Sequence, residues 1–179
     1  MRELGLIVLN YLLFSLLAVL LASFQSSLWL QLFGYTPPPY MWLAVVNYWV
    51  MFRRPGRALI MNYLVAYALF AMTGMPLNIL FSVLLMNFAV LYFIRDRVFW
   101  AGPTHFMLAC GGSAFFMPIS IMISCLIFEA HPFLDFHAFA WIITALFTAL
   151  AALPIYYVLV FIDRLTFQDA PKDTSSEII

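Results

Sequence analysis

Four long stretches of the chain carry no Asp, Glu, Lys or Arg: Leu4 to Phe52, Ala58 to Ile94, Val98 to Phe128 and Phe136 to Ile162. A membrane-crossing helix needs about 17 to 25 apolar residues, so the first two stretches hold two spans each and the last two hold one each. In the first, "GYTPPPY" (Gly34 to Tyr40) marks the division, because consecutive prolines lack backbone donors and cannot continue a helix. "TGMPLN" (Thr73 to Asn78) divides the second with similar punctuation. The expected spans are Leu4 to Phe24, Pro39 to Phe52, Ala58 to Met72, Leu77 to Ile94, Phe106 to Phe128 and Ala138 to Ile162. A β-barrel would instead show segments of about ten residues alternating apolar and polar, and "LGLIVLNYLLFSLLAVLLASF" does not alternate.

The pattern predicts an all-α integral membrane protein with six transmembrane helices in one domain over residues 1–166. A flexible polar tail is expected over 167–179. Composition agrees: 66% of residues are apolar and 9% charged, and the mean hydropathy is +1.02, values that a soluble surface would not tolerate. The first span reads as a retained anchor, since it has no basic n-region cluster and no clear Ala-x-Ala cleavage site.

Charge then orients the chain. Arg2 precedes the first span; Arg53, Arg54 and Arg57 lie in the second turn, Arg95 and Arg97 in the fourth, and Arg164 with Lys172 after the last span. All eight basic residues thus fall on one side, which the positive-inside rule makes cytoplasmic, with both termini there. The opposite side receives "EAHPFLDFH" (Glu129 to His137), with two acids and no Lys or Arg.

The turn within "NYWVMFRRPGRALIMNY" concentrates three arginines beside a Pro-Gly pair. They serve as a topological lock on two short helices, able to snorkel to lipid phosphates. A re-entrant hairpin would instead put them in hydrocarbon at about 2.5 kcal/mol or more each. Arg53, Arg54 and Arg57 are also the candidates for contact with a cytoplasmic partner, since guanidiniums beside a rigid corner suit an acidic surface.

No ionisable Asp, Glu, Lys or Arg falls at the midpoint of an expected span, so proton or ion relay is poorly supported. The spans contain amides instead: Asn10, Asn47, Asn62, Asn78 and Asn87, with Gln25 at the end of the first. Each can hydrogen-bond between helices for about 0.6 to 2 kcal/mol; the alternative is convergence on a polar ligand pocket. "ACGGSA" (Ala109 to Ala114) admits close approach of a neighbouring helix, making Gly111, Gly112 and Ser113 candidates for packing and partner binding. Thr144, Thr148 and Ala152 repeat small residues every fourth position, and Pro118 and Pro154 interrupt the last two spans. Those prolines also allow broken helices beside a transport site.

No catalytic residue, cofactor or metal is expected. There is no phosphate-binding Gly-rich loop, no Gly-x-Ser-x-Gly, no His-Glu-x-x-His and no intramembrane carboxylate pair. The acids and histidines of "EAHPFLDFH" stand in no recognised ligand order, and Cys110 and Cys125, about 22 Å apart along one helix, cannot bridge each other.

In the order of its features the chain resembles the rod shape-determining MreD family of bacteria. "FQSSLW" is similar to that family's Gln-containing end of helix one. "YTPPPYMWLAVVNYWVMFRRPGRAL" resembles its Pro-led short helix, Tyr-Trp-like pair and basic Pro-containing turn. "MTGMPLNILFSVLLMNFAVLYFIRDRVF" and "LPIYYVLVFIDRL" resemble its Ser/Thr-Gly turn with the following helix, and its last helix. The chain departs from the family in "ALIMNYLVAYALFAMTG", which has Asn62 and no Asp, and no Gly before Gly74. The resemblance implies a non-enzymatic scaffold of the inner membrane in the cell-elongation machinery that builds lateral peptidoglycan. Its implied partner is an MreC-like single-span protein, linked indirectly to an MreB-like filament and the wall synthase complex; no nucleic acid is involved. It also implies an arrangement similar to the substrate-binding subunits of energy-coupling-factor transporters. The competing expectation is such a subunit itself, serving vitamin or metal uptake, with a ligand pocket roofed by the turns at 34–39 and 129–137. An intramembrane hydrolase is a third class, without a catalytic constellation to support it.

Overall fold

The computed structural model describes residues 2–95, 102–128 and 138–166, and these are built from helices with no strand among them. Helix α1 (Arg2–Ser23) runs through a π-helical turn (Phe24–Leu28) into α2 (Trp29–Phe33); α3 is Leu43–Phe52 and α4 Pro55–Thr73. The chain continues with α5 (Leu77–Arg95), α6 (Gly102–Phe128) and α7 (Ala138–Leu165). Five of these helical stretches are long and apolar enough to cross a membrane, and α3 is a shorter apolar helix.

Two expected boundaries need correction. The first span does not stop at Phe24 but continues to Phe33, giving a stretch of 29 residues from Gly5. Gln25, Ser26 and Ser27 widen the helix into a π-turn without ending it; the break comes at Gly34, whose φ of +60° is the left-handed geometry glycine adopts without a Cβ penalty. The second span is shorter than Pro39 to Phe52. It is helical only over the 10 residues of α3, a rise of about 15 Å, half of a bilayer's hydrocarbon thickness.

Helix α3 tolerates this length because it never faces lipid. Leu43 through Met51 are all buried, and α3 touches α1, α4, α5, α6 and α7. Non-helical backbone at membrane depth persists only where protein shelters it and its polar groups are answered. The approach to α3 meets that condition: Pro37, Pro38 and Pro39 have no N–H to satisfy, and the Tyr40 N–H donates to the Thr148 hydroxyl of α7 at 2.9 Å. Trp29 holds the other side of this segment, its Nε1 donating to the Thr36 carbonyl at 3.2 Å while its ring packs on Phe147 of α7.

The remaining helices follow from local chemistry. Pro55 opens α4 in its first turn, where its missing donor costs nothing, and Gly74 closes it with φ of +66°. Helices α6 and α7 pack most extensively on each other, with Thr144, Thr148 and Ala152 buried along α7. A Cβ on Gly111 of α6 would lie 3.0 Å from the Ala149 Cβ. Outward faces are apolar: Leu9, Leu12, Leu16 and Leu20 on α1, and Ile142, Leu146, Leu150 and Tyr157 on α7, are exposed at helical spacing. Glu129 to His137 and residues 167–179 lie outside the described residues.

Candidate functional site

Arg53, Arg54, Arg57, Arg95 and Arg164 gather at one end of the bundle, where the turn between α3 and α4 meets the ends of α5 and α7. The structure separates the three arginines of the turn. Arg53 folds inward and pairs with Asp163 of α7, with side-chain exposures of 8% and 0%. Asp163 also accepts from the Tyr48 hydroxyl at 2.6 Å and from Asn10 Nδ2 at 3.1 Å. Asn10 donates in addition to Thr166 Oγ1 at 2.7 Å, and that hydroxyl donates to the Ile162 carbonyl at 2.9 Å. Both carboxylate oxygens are therefore answered, which is the condition under which a buried charge is tolerable.

Arg95 finishes the corner. Its Nη1 donates to the carbonyls of Val50 and Arg53, each at 3.0 Å. These groups close α3, whose last carbonyls lack helical partners, and a cation there also complements the helix dipole. The Arg95 guanidinium lies over the Tyr92 ring and that of Arg53 near Trp49, 4.9 and 5.8 Å from the ring centroids. Behind the corner Tyr48, Phe52, Phe106 and Tyr156 pack as an aromatic block. Arg54 and Arg57 stay exposed, displayed on a backbone that the Tyr11 hydroxyl touches at the Arg57 carbonyl, 3.4 Å away.

Sequence reasoning named Arg53 for outward contact and passed over Asp163, which appeared only as part of the closing run of the last helix. A signal for it existed. Asp163 follows a long uncharged interval and lies on the side that collects the basic residues, so its nearest partners had to be arginines.

The amides do not converge. Asn47 of α3 accepts from Asn87 Nδ2 of α5 at 2.9 Å and donates to Cys110 Sγ of α6 at 3.6 Å, tying three helices. Asn62 donates to the Leu84 carbonyl at 3.4 Å, tying α4 to α5, while Asn10 ties α1 to α7 and Asn78 is exposed. The buried amides join helices because hydrocarbon offers no water and the nearest polar group sits on a neighbouring helix; Asn47 and Asn87 do so by meeting each other.

No family model, curated protein or solved structure matches this chain.

Three hollows bear on function. An apolar groove of 650 Å³ opens between the π-turn and α7, lined by residues such as Leu20, Phe24, Met41 and Pro154. A more enclosed cavity of 160 Å³ lies at the end opposite the arginines, among Gln25, Tyr40, Trp42, Thr73 and Met117. A cleft of 320 Å³ between α5 and α6 is lined by Asn87, Gly112, Ser113 and Phe115, among others. Gly111, Gly112 and Ser113 thus part company: Gly111 packs on α7, whereas Gly112 and Ser113 face the cleft. Neither Cys110 nor Cys125 is part of a disulfide, and no group of three His, Cys, Asp or Glu that could hold a metal occurs among the described residues.

Proposed function

We propose that the chain is a non-enzymatic scaffold of the bacterial inner membrane, of the MreD type, acting in the cell-elongation machinery. In this reading it holds an MreC-like single-span protein, and through it an MreB-like filament and the peptidoglycan synthase complex. The observation that carries the reading is the arginine corner. The Arg53–Asp163 pair and the Arg95 brace fix the turn, so Arg54 and Arg57 are presented to the cytoplasm at a set place beside long apolar helix faces. A preorganised display of this kind favours docking, because little ordering remains to be done on binding. The short buried α3 and its cross-helix amides suit a rigid frame, in an arrangement similar to energy-coupling-factor substrate-binding subunits.

The second reading, a substrate-binding subunit for vitamin or metal uptake, is favoured by the 160 Å³ cavity. Its walls include Tyr40 and Trp42, directly after the turn expected to roof such a pocket. One experiment separates the two: purification of the tagged protein from its native membrane in mild detergent, with mass spectrometry of proteins and small molecules. The scaffold reading expects a single-span membrane protein at near-stoichiometric yield. Recovery of ATPase subunits or a bound vitamin in its place overturns it.

A further inference from the structure

We propose that the cleft between α5 and α6 seats a transmembrane helix of the partner, packed on Gly112 and hydrogen-bonded to Ser113; this deepens the scaffold reading and rests on it. Gly111 and Gly112 are adjacent, about 100° apart around α6, and have opposite surroundings. A Cβ on Gly111 would meet Ala149 of α7 at 3.0 Å, whereas one on Gly112 would meet nothing within 4 Å. The second glycine therefore serves no contact within the chain. It is exposed and lines the cleft together with Val90 and Ile94 of α5 and Leu108 and Phe115 of α6. Val90, Leu108 and Phe115 are exposed along its rim.

Ser113 supplies the independent observation. Its residue is 5% exposed, it lines the same cleft, and its Oγ has no hydrogen-bond partner. Asn87, 1% exposed, lies beside it. Gly112 is six residues inside the expected span from Phe106 to Phe128, a rise of about 9 Å into a hydrocarbon layer about 30 Å thick. Water is absent there and acyl chains carry neither donor nor acceptor, so a lipid tail would fill the volume yet leave the hydroxyl unanswered. A helix answers both features: a glycine notch admits its backbone, and its carbonyl, hydroxyl or amide meets Ser113 once a χ1 rotation turns the buried Oγ toward the cleft.

The larger groove between the π-turn and α7 lacks this demand. Ser23 Oγ there donates to Met72 Sδ at 3.9 Å, and none of the residues lining the groove has an unpartnered buried polar side-chain atom, so lipid suffices. Position agrees as well. Helix α5 ends at Arg95 against the carbonyls of Val50 and Arg53, so a helix lying along α5 leaves the bilayer beside the turn that displays Arg54. The expected partner segment has a small residue facing Gly112 and a hydroxyl or amide within one turn of it.

The test uses the full-length protein in its native membrane, with Phe115 replaced by photoreactive p-benzoylphenylalanine. Irradiation should yield an adduct with a single-span protein. Gly112→Leu should cut both the adduct and detergent co-purification at least tenfold, and Ser113→Ala several-fold. Leu20→Trp, in the other groove, should change neither. Because Gly112 has open space, the leucine variant should keep the wild-type melting temperature when purified alone. An adduct with lipid only or with a second copy overturns the proposal, as does undiminished partner recovery from both Gly112→Leu and Ser113→Ala. If wild type recovers a single-span protein that never cross-links at Phe115, the face is wrong and the scaffold reading stands. If no membrane protein is recovered at all, the scaffold reading falls too.

Discussion

Asp163 sits fully buried among Arg53, Tyr48 and Asn10, side chains contributed by α1 and by α3 and its C-terminal cap. Removing one partner of such a pair leaves an uncompensated charge in a dry site, at a cost of about 3–5 kcal/mol, whereas replacing both with apolar groups of similar size is often neutral. Asp163→Asn and Arg53→Gln should each lower unfolding stability in detergent by about that amount. The double variant Arg53→Met with Asp163→Leu should recover most of the loss, a non-additivity that a double-mutant cycle closed with Arg53→Met and Asp163→Leu singly measures. A loss in the double variant equal to the sum of the two single losses would show that the packing of the individual side chains matters and their pairing does not. The charges themselves were legible in the sequence. Their pairing was not, because 110 positions separate Arg53 from Asp163 and only the packing of α3 on α7 joins them.

Helix α3 shows how an element too short to span becomes stable. Its sequence is uniformly apolar apart from Asn47, so periodicity gave no preferred face, and the structure buries all sides against the long helices. Its entry depends on the Thr148 hydroxyl that accepts from the Tyr40 N–H and donates to the Thr144 carbonyl at 2.7 Å. Thr148→Val keeps the shape and strands that donor, which should lower stability by about 1–3 kcal/mol. Hydrogen exchange at the Tyr40 amide should accelerate ahead of the exchange in α4 and α5; unchanged exchange would mean that another acceptor replaces Thr148. Sequence spacing marked Thr148 as a small residue in a packing stripe. It also acts as a cap, a role that depends on a loop about a hundred residues earlier in the chain.

For the whole molecule, sidedness and docking are separable. With Arg53 and Arg95 committed to the interior corner, Arg54 and Arg57 are the exposed members of the turn. Replacing both with Gln should leave the melting temperature within about 1 °C, because exposed surface substitutions rarely exceed ±0.5 kcal/mol. Insertion orientation should hold, since Arg2, Arg95, Arg97 and Arg164 still mark the same side. Partner recovery should fall several-fold, and the wild-type yield should itself fall as salt rises, because exposed charge contacts are screened beyond about 8 to 10 Å at roughly 0.1 to 0.15 M salt. Unchanged recovery with unchanged orientation would reduce the pair to topology signals.

The sequence by itself determined the class of the protein and the approximate run of its helices. Uncharged stretches of membrane length leave few alternatives, and Pro and Gly punctuate them by local sterics that need no tertiary context. It also led to the expectation that the basic residues share one side, and the structure gathers Arg53, Arg54, Arg57, Arg95 and Arg164 at one end of the bundle. Tertiary structure alone decided which apolar faces meet protein and which meet lipid, that α3 is a buried stub and that Arg53 turns inward to Asp163. It likewise decided that Gly111 packs on α7 while Gly112 lines the cleft between α5 and α6. The physical reason is the same throughout. Hydrophobicity sets depth in a bilayer but is indifferent between a lipid tail and a leucine, so position within the bundle is fixed by steric fit and by the few polar atoms that must find one another.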